Sequence, residues 1–110
     1  MTIVELLKRQ RSWGLSTFGP GPLTTMVIAH IRKELAEIEA KPLDLEEWVD
    51  VLILASTGAM RAGHDPETIV AAWAEKLREN IEDREWPDWR ALPRDLPIEH
   101  VRARRKASAQ

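Results

Sequence analysis

The chain contains no cysteine in its 110 residues, which excludes a disulfide scaffold and thiol chemistry and fits a reducing cytoplasm. It also lacks a long apolar run. Runs such as Val51 to Ala55 fall far short of the ~20 residues of a membrane span. The stretch Met1 to Gln10 has no basic segment followed by an apolar one, so it does not read as a signal peptide. Positive charge is not in excess either. Sixteen Lys and Arg stand against eighteen Asp and Glu, for a formal charge of −2, and the only basic cluster is terminal, Arg102, Arg104, Arg105 and Lys106. No membrane and no specific nucleic acid is expected as a partner, and the basic cluster reads as a mobile end rather than a nucleic-acid arm. Internal repeats and low-complexity tracts are absent, and the Gly- and Pro-rich stretch from Gly14 to Pro22 matches neither the Walker pattern nor GxGxxG. These absences leave a soluble cytoplasmic protein of one domain with a modest core.

What is present is helical patterning. Thr2 with Glu5 forms a capping box that opens a helix over residues 2–13, with Ile3, Leu6, Leu7 and Gln10 along one side. The Gly14 to Pro22 segment then breaks helicity and carries Phe18, the only Phe in the chain. A second helix is predicted from Thr24 to Ala40, capped by Thr24 or Thr25, with Pro42 just past its end. Asp44 and Glu47 form another capping box for a third helix, which continues to Ala62 and stops at Gly63. From Trp48 to Met60 this helix is apolar or small on nearly every side, so it is central or lies at a subunit interface. Its Ala55, Ser56, Gly58 and Ala59 suit a close helix crossing. Asp65-Pro66-Glu67 starts a fourth helix that runs to Arg84, and the Pro- and Trp-rich residues from Glu85 are irregular, with Trp86 and Trp89 lying over the helices. The expectation is an all-α four-helix bundle over residues 1–90, completed by oligomerisation into a homodimer or homotetramer, and an extended or mobile tail over residues 91–110.

The chemistry centres on acids. Glu34 and Glu37 form one i,i+3 pair on the second helix, and Glu47 and Asp50 form another on the third. Residues three apart on a helix share a face with Cβ atoms about 5–6 Å apart. Two antiparallel helices at the usual ~8–10 Å separation can aim both pairs at one point. At about 100° per residue, Val27, Ile31, Leu35 and Ile38 form the apolar stripe of the second helix, with Glu34 and Glu37 along its edge. Glu47 and Asp50 share a face with Val51, Leu54 and Gly58. Acids that border a core and converge need a cation among them, and all-oxygen ligation favours Mg²⁺, Mn²⁺ or Ca²⁺ over zinc. His30, one turn before Glu34, shares the acidic edge within reach of a substrate. On the fourth helix Lys76, Asn80 and Arg84 recur at i, i+4, i+8, set within or beside the stripe Ile69, Val70, Trp73, Leu77 and Ile81. Either an anionic ligand or structural ion pairing with the acidic helices satisfies them.

The order of these residues resembles the MazG-like all-α nucleoside triphosphate pyrophosphohydrolases: an ExxE pair, a short connector, an ExxD pair, then Lys76, Asn80 and Arg84. The strings Phe18-Gly-Pro-Gly-Pro22, His30-Ile-Arg-Lys-Glu-Leu35, Leu45-Glu-Glu-Trp-Val-Asp-Val51 and Trp86-Pro-Asp-Trp-Arg90 are similar, more narrowly, to the dATP/dGTP pyrophosphohydrolase branch. The resemblance implies Mg²⁺-dependent hydrolysis of a (deoxy)nucleoside triphosphate, dATP or dGTP, to the monophosphate and pyrophosphate. It implies Glu34, Glu37, Glu47 and Asp50 as metal ligands and catalytic groups, one of them orienting the attacking water. Mn²⁺ is an alternative metal, and His30, Lys76, Asn80 and Arg84 would contact the substrate. Thr57 stands two turns after Asp50 where many relatives carry an acid, which bears on the number of metal ions. Two rival readings belong to other classes: a non-catalytic helical oligomerisation module with solvated acids, and a regulatory module that binds nucleotide or metal without turnover.

Overall fold

The computed structural model describes residues 1–103, so Arg104, Arg105 and Lys106 of the basic cluster, and their expected mobility, lie outside the described residues. Four α-helices account for most of the described chain: α1 (Ile3–Phe18), α2 (Thr24–Ala40), α3 (Leu45–Arg61) and α4 (Pro66–Arg78). The fold is all-α. Its only strands among the described residues are β1 (Arg84–Glu85) and β2 (Arg102–Ala103), two residues each and paired antiparallel. The chain divides into two compact units, Met1–Val70 and a second beginning at Ala71.

In the first unit, α1 opens with the expected box. Thr2 Oγ1 accepts from the Glu5 amide at 3.0 Å, and Glu5 Oε2 accepts from the Thr2 amide at 2.8 Å. The helix does not end before Gly14, however; it continues one turn further, to Phe18. Glycine inside a helix costs only about 1 kcal/mol, and Arg61 offsets that cost by donating to the Gly14 carbonyl at 3.1 Å. The same guanidinium donates to the carbonyls of Gly19 at 2.6 Å and Gly21 at 3.0 Å, so one side chain at the end of α3 holds the whole turn that follows α1. Gly19 stops α1 with φ 81° and ψ 176°, a backbone region open essentially only to glycine.

α2 starts without a side-chain cap: Leu23, not a threonine, holds the cap position. Its close neighbour is α3, and the two run antiparallel, as Val27 near the start of α2 faces Gly58 near the end of α3 while Glu37 and Glu47 meet at the opposite ends. At α3 the expected capping box is half formed. Asp44 Oδ1 accepts from the Glu46 amide at 3.0 Å, but Glu47 turns to the other acids instead of back to the cap. Gln10 of α1 ties to α3 through the Ile53 carbonyl at 3.0 Å and the hydroxyls of Ser56 and Thr57, each at 2.9 Å. The first turn of α4 is capped by Asp65, which accepts from the Thr68 amide at 2.8 Å; the Thr68 hydroxyl and amide hold the Asp65 carboxyl below its ordinary range. Leu7, Val27, Ile38, Leu54 and Pro66 form the buried apolar centre.

The second unit departs from a continuous helix to Arg84. A π-helical turn over Glu79–Asp83 follows α4, and Arg78 organises it by donating to Glu75 at 2.8 Å, Glu82 at 3.1 Å and the buried Asp83 at 2.8 Å. Trp86 and Trp89 stay about half exposed rather than closing a core. The Trp86 indole donates to the Asn80 carbonyl at 2.7 Å, and the Trp89 ring lies under Arg90 and Arg94, each 4.8 Å from its centroid.

Two glycines give opposite expectations. Gly19→Ala forces a side chain into a glycine-only conformation and should destabilise the protein by about 1–3 kcal/mol. A Cβ at Gly58 meets Val27 Cγ1 at 3.4 Å, an ordinary contact, so Gly58→Ala should be neutral or stabilising by up to about 1 kcal/mol. Urea unfolding of the two variants checks both signs.

Candidate active site

The antiparallel contact of α2 with α3 brings all four sequence-selected acids together: Glu34, Glu37, Glu47 and Asp50 each place one carboxylate oxygen within 4.8 Å of the others. Their burial grades from Glu34, which is buried, through Glu37 and Glu47, partly buried, to Asp50, exposed. Glu34 does not sit on the edge of the apolar stripe. It takes the inward position, at 5 % exposure, while Leu35 beside it is 46 % exposed. A carboxylate is costly there unless something meets it, and two oxygens, Glu34 Oε2 and Glu47 Oε2, are buried with no hydrogen-bond partner.

Proton affinities divide accordingly. Hydrogen bonding to Glu37, followed by burial and the charge of Glu37, raises the carboxyls of Glu34 and Glu47 above the ordinary value, whereas the same two contacts hold Glu37 below it. Glu37 is therefore the most readily ionised of these three carboxyls, and Glu34 and Glu47 give up their protons less easily than ordinary glutamates. The donor set is all oxygen, close-set and partly desolvated, and it fits a hard divalent ion. Among the described residues, no nitrogen or sulfur ligand enters the cluster.

His30 belongs to this neighbourhood: its Nε2 lies 3.2 Å from Glu34 Oε1. Lys76, Asn80 and Arg84 fall in the second unit and are engaged there. Arg84 pairs with Glu79 at 2.7 Å and donates to Asn80 Oδ1 at 2.8 Å, and Lys76 stands 4.0 Å from Glu79. Beside the acids, within the first unit, lies a cavity of about 250 Å³, bounded by Glu34 and Asp50 at one side and by Trp13, Phe18, Met26 and Thr57 elsewhere. Sequence reasoning passed over Trp13 and Arg61. The available signal was an aromatic residue at the edge of a Gly- and Pro-rich turn that already held the lone Phe.

The fold and cluster define an all-α protein with a divalent-metal-type carboxylate site on two antiparallel helices. The profile of the dATP/dGTP pyrophosphohydrolase family matches residues 6–105, so the chain belongs to that family and is a nucleoside triphosphate pyrophosphohydrolase. No curated protein and no solved structure gives a match to the chain.

Glu34→Gln tests the electrostatics. A carboxyl whose pKa is raised by folding opposes folding once it ionises, so metal-free wild type loses stability as pH rises through the raised Glu34 value, above the ordinary 4.5. Glu34→Gln carries no such ionisation. Its melting temperature should exceed that of metal-free wild type at neutral pH, the gap closing on acidification, while Mg²⁺ affinity falls by at least about tenfold. Melting curves across pH with chelator, and calorimetry with Mg²⁺, read the two effects.

Proposed function

We propose that the chain hydrolyses dATP and dGTP to the monophosphate and pyrophosphate with Mg²⁺, or Mn²⁺, held by Glu34, Glu37, Glu47 and Asp50. Two buried oxygens, one on Glu34 and one on Glu47, that meet no donor from the rest of the chain and have only neighbouring carboxyls beside them carry this reading, because an acidic face that merely met solvent would have water on those atoms. A bound divalent ion supplies charge neutralisation to the triphosphate and a polarised phosphorus. The chain supplies geometry. His30 holds one oxygen of Glu34 and so fixes which way the other faces. Glu37, whose carboxyl its neighbours hold below the ordinary value, anchors the cluster. One of the four acids orients the attacking water in this reading, and Asp50 is the exposed member of the set.

Lys76, Asn80 and Arg84 complete the proposal as contacts to phosphate or sugar oxygens, with phosphate replacing Glu79 on Arg84. The helical part, residues 1–90, does this work, and residues 91–110 are an appendage to it. The working form is a homodimer or homotetramer in the cytoplasm. Trp48, Leu52 and Ile53 of α3 remain substantially exposed, and a unit with so small a buried centre gains from a second copy.

With Mg²⁺, dATP and dGTP should each release one pyrophosphate per turnover and no orthophosphate, and chelation should abolish release. Nucleotide binding with no turnover would instead support the regulatory module. Arg84→Ala should lower kcat/KM about ten- to a hundredfold with Mg²⁺ affinity retained; a lower melting temperature with full kcat/KM would leave Arg84 a structural partner of Glu79. Sedimentation of Leu52→Asp against wild type tests the assembly, which a monomeric wild type at micromolar concentration contradicts.

A further inference from the structure

The cavity beside Glu34 and Asp50 is walled on its far side by an edge-to-face aromatic pair. The Trp13 and Phe18 rings stand 5.4 Å apart at 89°, and each leaves about half its surface uncovered. Contiguous aromatic surface left open beside polar groups is a mark of ligand-binding grooves. At about 250 Å³ the cavity is smaller than the roughly 300–1,000 Å³ that enclose a whole drug-sized ligand. It has room for a ring system, with the charged remainder outside it, toward the acids. One polar edge is ready: Thr57 Oγ1 accepts from Gln10 at 2.9 Å, which leaves the hydroxyl proton to donate to a ring nitrogen or carbonyl.

The aromatic wall is not free-standing. Trp13 and Phe18 lie in the last turns of α1, and the carbonyls of Gly14, next to Trp13, of Gly19, next to Phe18, and of Gly21 all accept from the Arg61 guanidinium, which itself borders the cavity. We infer that this cavity takes the purine ring of the nucleotide, stacked against Trp13 and Phe18, and that Arg61 is the positioning residue that holds the wall in register. The inference deepens the pyrophosphohydrolase reading and rests on it for the identity of the ligand.

Equilibrium binding separates the two. In the presence of Mg²⁺, dGMP and inorganic pyrophosphate are titrated into wild type, Trp13→Ala, Phe18→Leu and Arg61→Met, each checked for helicity by circular dichroism. Loss of a base–aromatic stack should weaken dGMP by about tenfold or more in Trp13→Ala, less in Phe18→Leu, and leave pyrophosphate unchanged. Arg61→Met should reproduce the selective loss of dGMP, with Arg61→Lys recovering part of it. Unchanged dGMP affinity in folded Trp13→Ala, or equal losses for dGMP and pyrophosphate, overturns the base slot; should Trp13→Ala not fold, Phe18→Leu and Trp13→Phe decide by the same criterion. A lower melting temperature for Arg61→Met with dGMP affinity intact overturns its positioning role. Wild type that binds dGMP in this base-dependent way yet fails to cleave dGTP sustains the slot and removes the pyrophosphohydrolase reading instead.

Discussion

Mutual repulsion among four carboxylates is the constraint around which α2 and α3 are arranged. Helices that brought Glu34, Glu37, Glu47 and Asp50 this close would gain from rotating apart unless other contacts held them, and those contacts are visible. Val27, Ile38 and Leu54 bury themselves beside the acids, Val27 faces Gly58 where α2 meets α3, and Gln10 ties α1 to α3. The apolar contacts hold an electrostatic configuration that is unfavourable by itself. Binding sites built in this way store a preference for a cation in the fold, because the ligands need not be gathered when the ion arrives.

Much of this organisation was legible in the chain itself. Two i,i+3 acid pairs separated by a short connector placed the site on facing helices, and the boundaries of α2 and α3 followed from Pro42, Asp44 and Gly63. The failures have physical causes. Gly14 read as a breaker because its compensating partner, Arg61, lies far along the sequence. Periodicity placed Leu35 inside and Glu34 at the edge, since a hydrophobicity pattern has no means of anticipating that an acid takes an inward position among other acids. The turn over Glu79–Asp83 was invisible to a 3.6-residue count, as its π geometry arises from Arg78 drawing Asp83 inward.

The same turn separates two kinds of charge chemistry. In the first unit acids face acids and are left wanting a cation. In the second, Arg78 and Arg84 make ion pairs and a hydrogen bond to partners within a few residues of sequence. Local pairs of this kind need no distant segment to form, whereas the acid cluster exists only once α2 and α3 have met. Catalytic capacity in such a chain is therefore a property of tertiary structure from the outset, and local helix formation alone supplies none of it.

Arg61 has a further meaning in a chain without cysteine. Its guanidinium links residues 40 and 42 positions away in sequence, at Gly21 and Gly19, closing a loop of the length that a disulfide closes in a small secreted domain. A covalent bridge of that span would restrict the unfolded chain permanently. This hydrogen-bonded clasp imposes its restriction only on the folded state, is indifferent to reductant, and re-forms each time the chain folds. The protein thereby obtains a cross-link beside its cavity that needs no thiol.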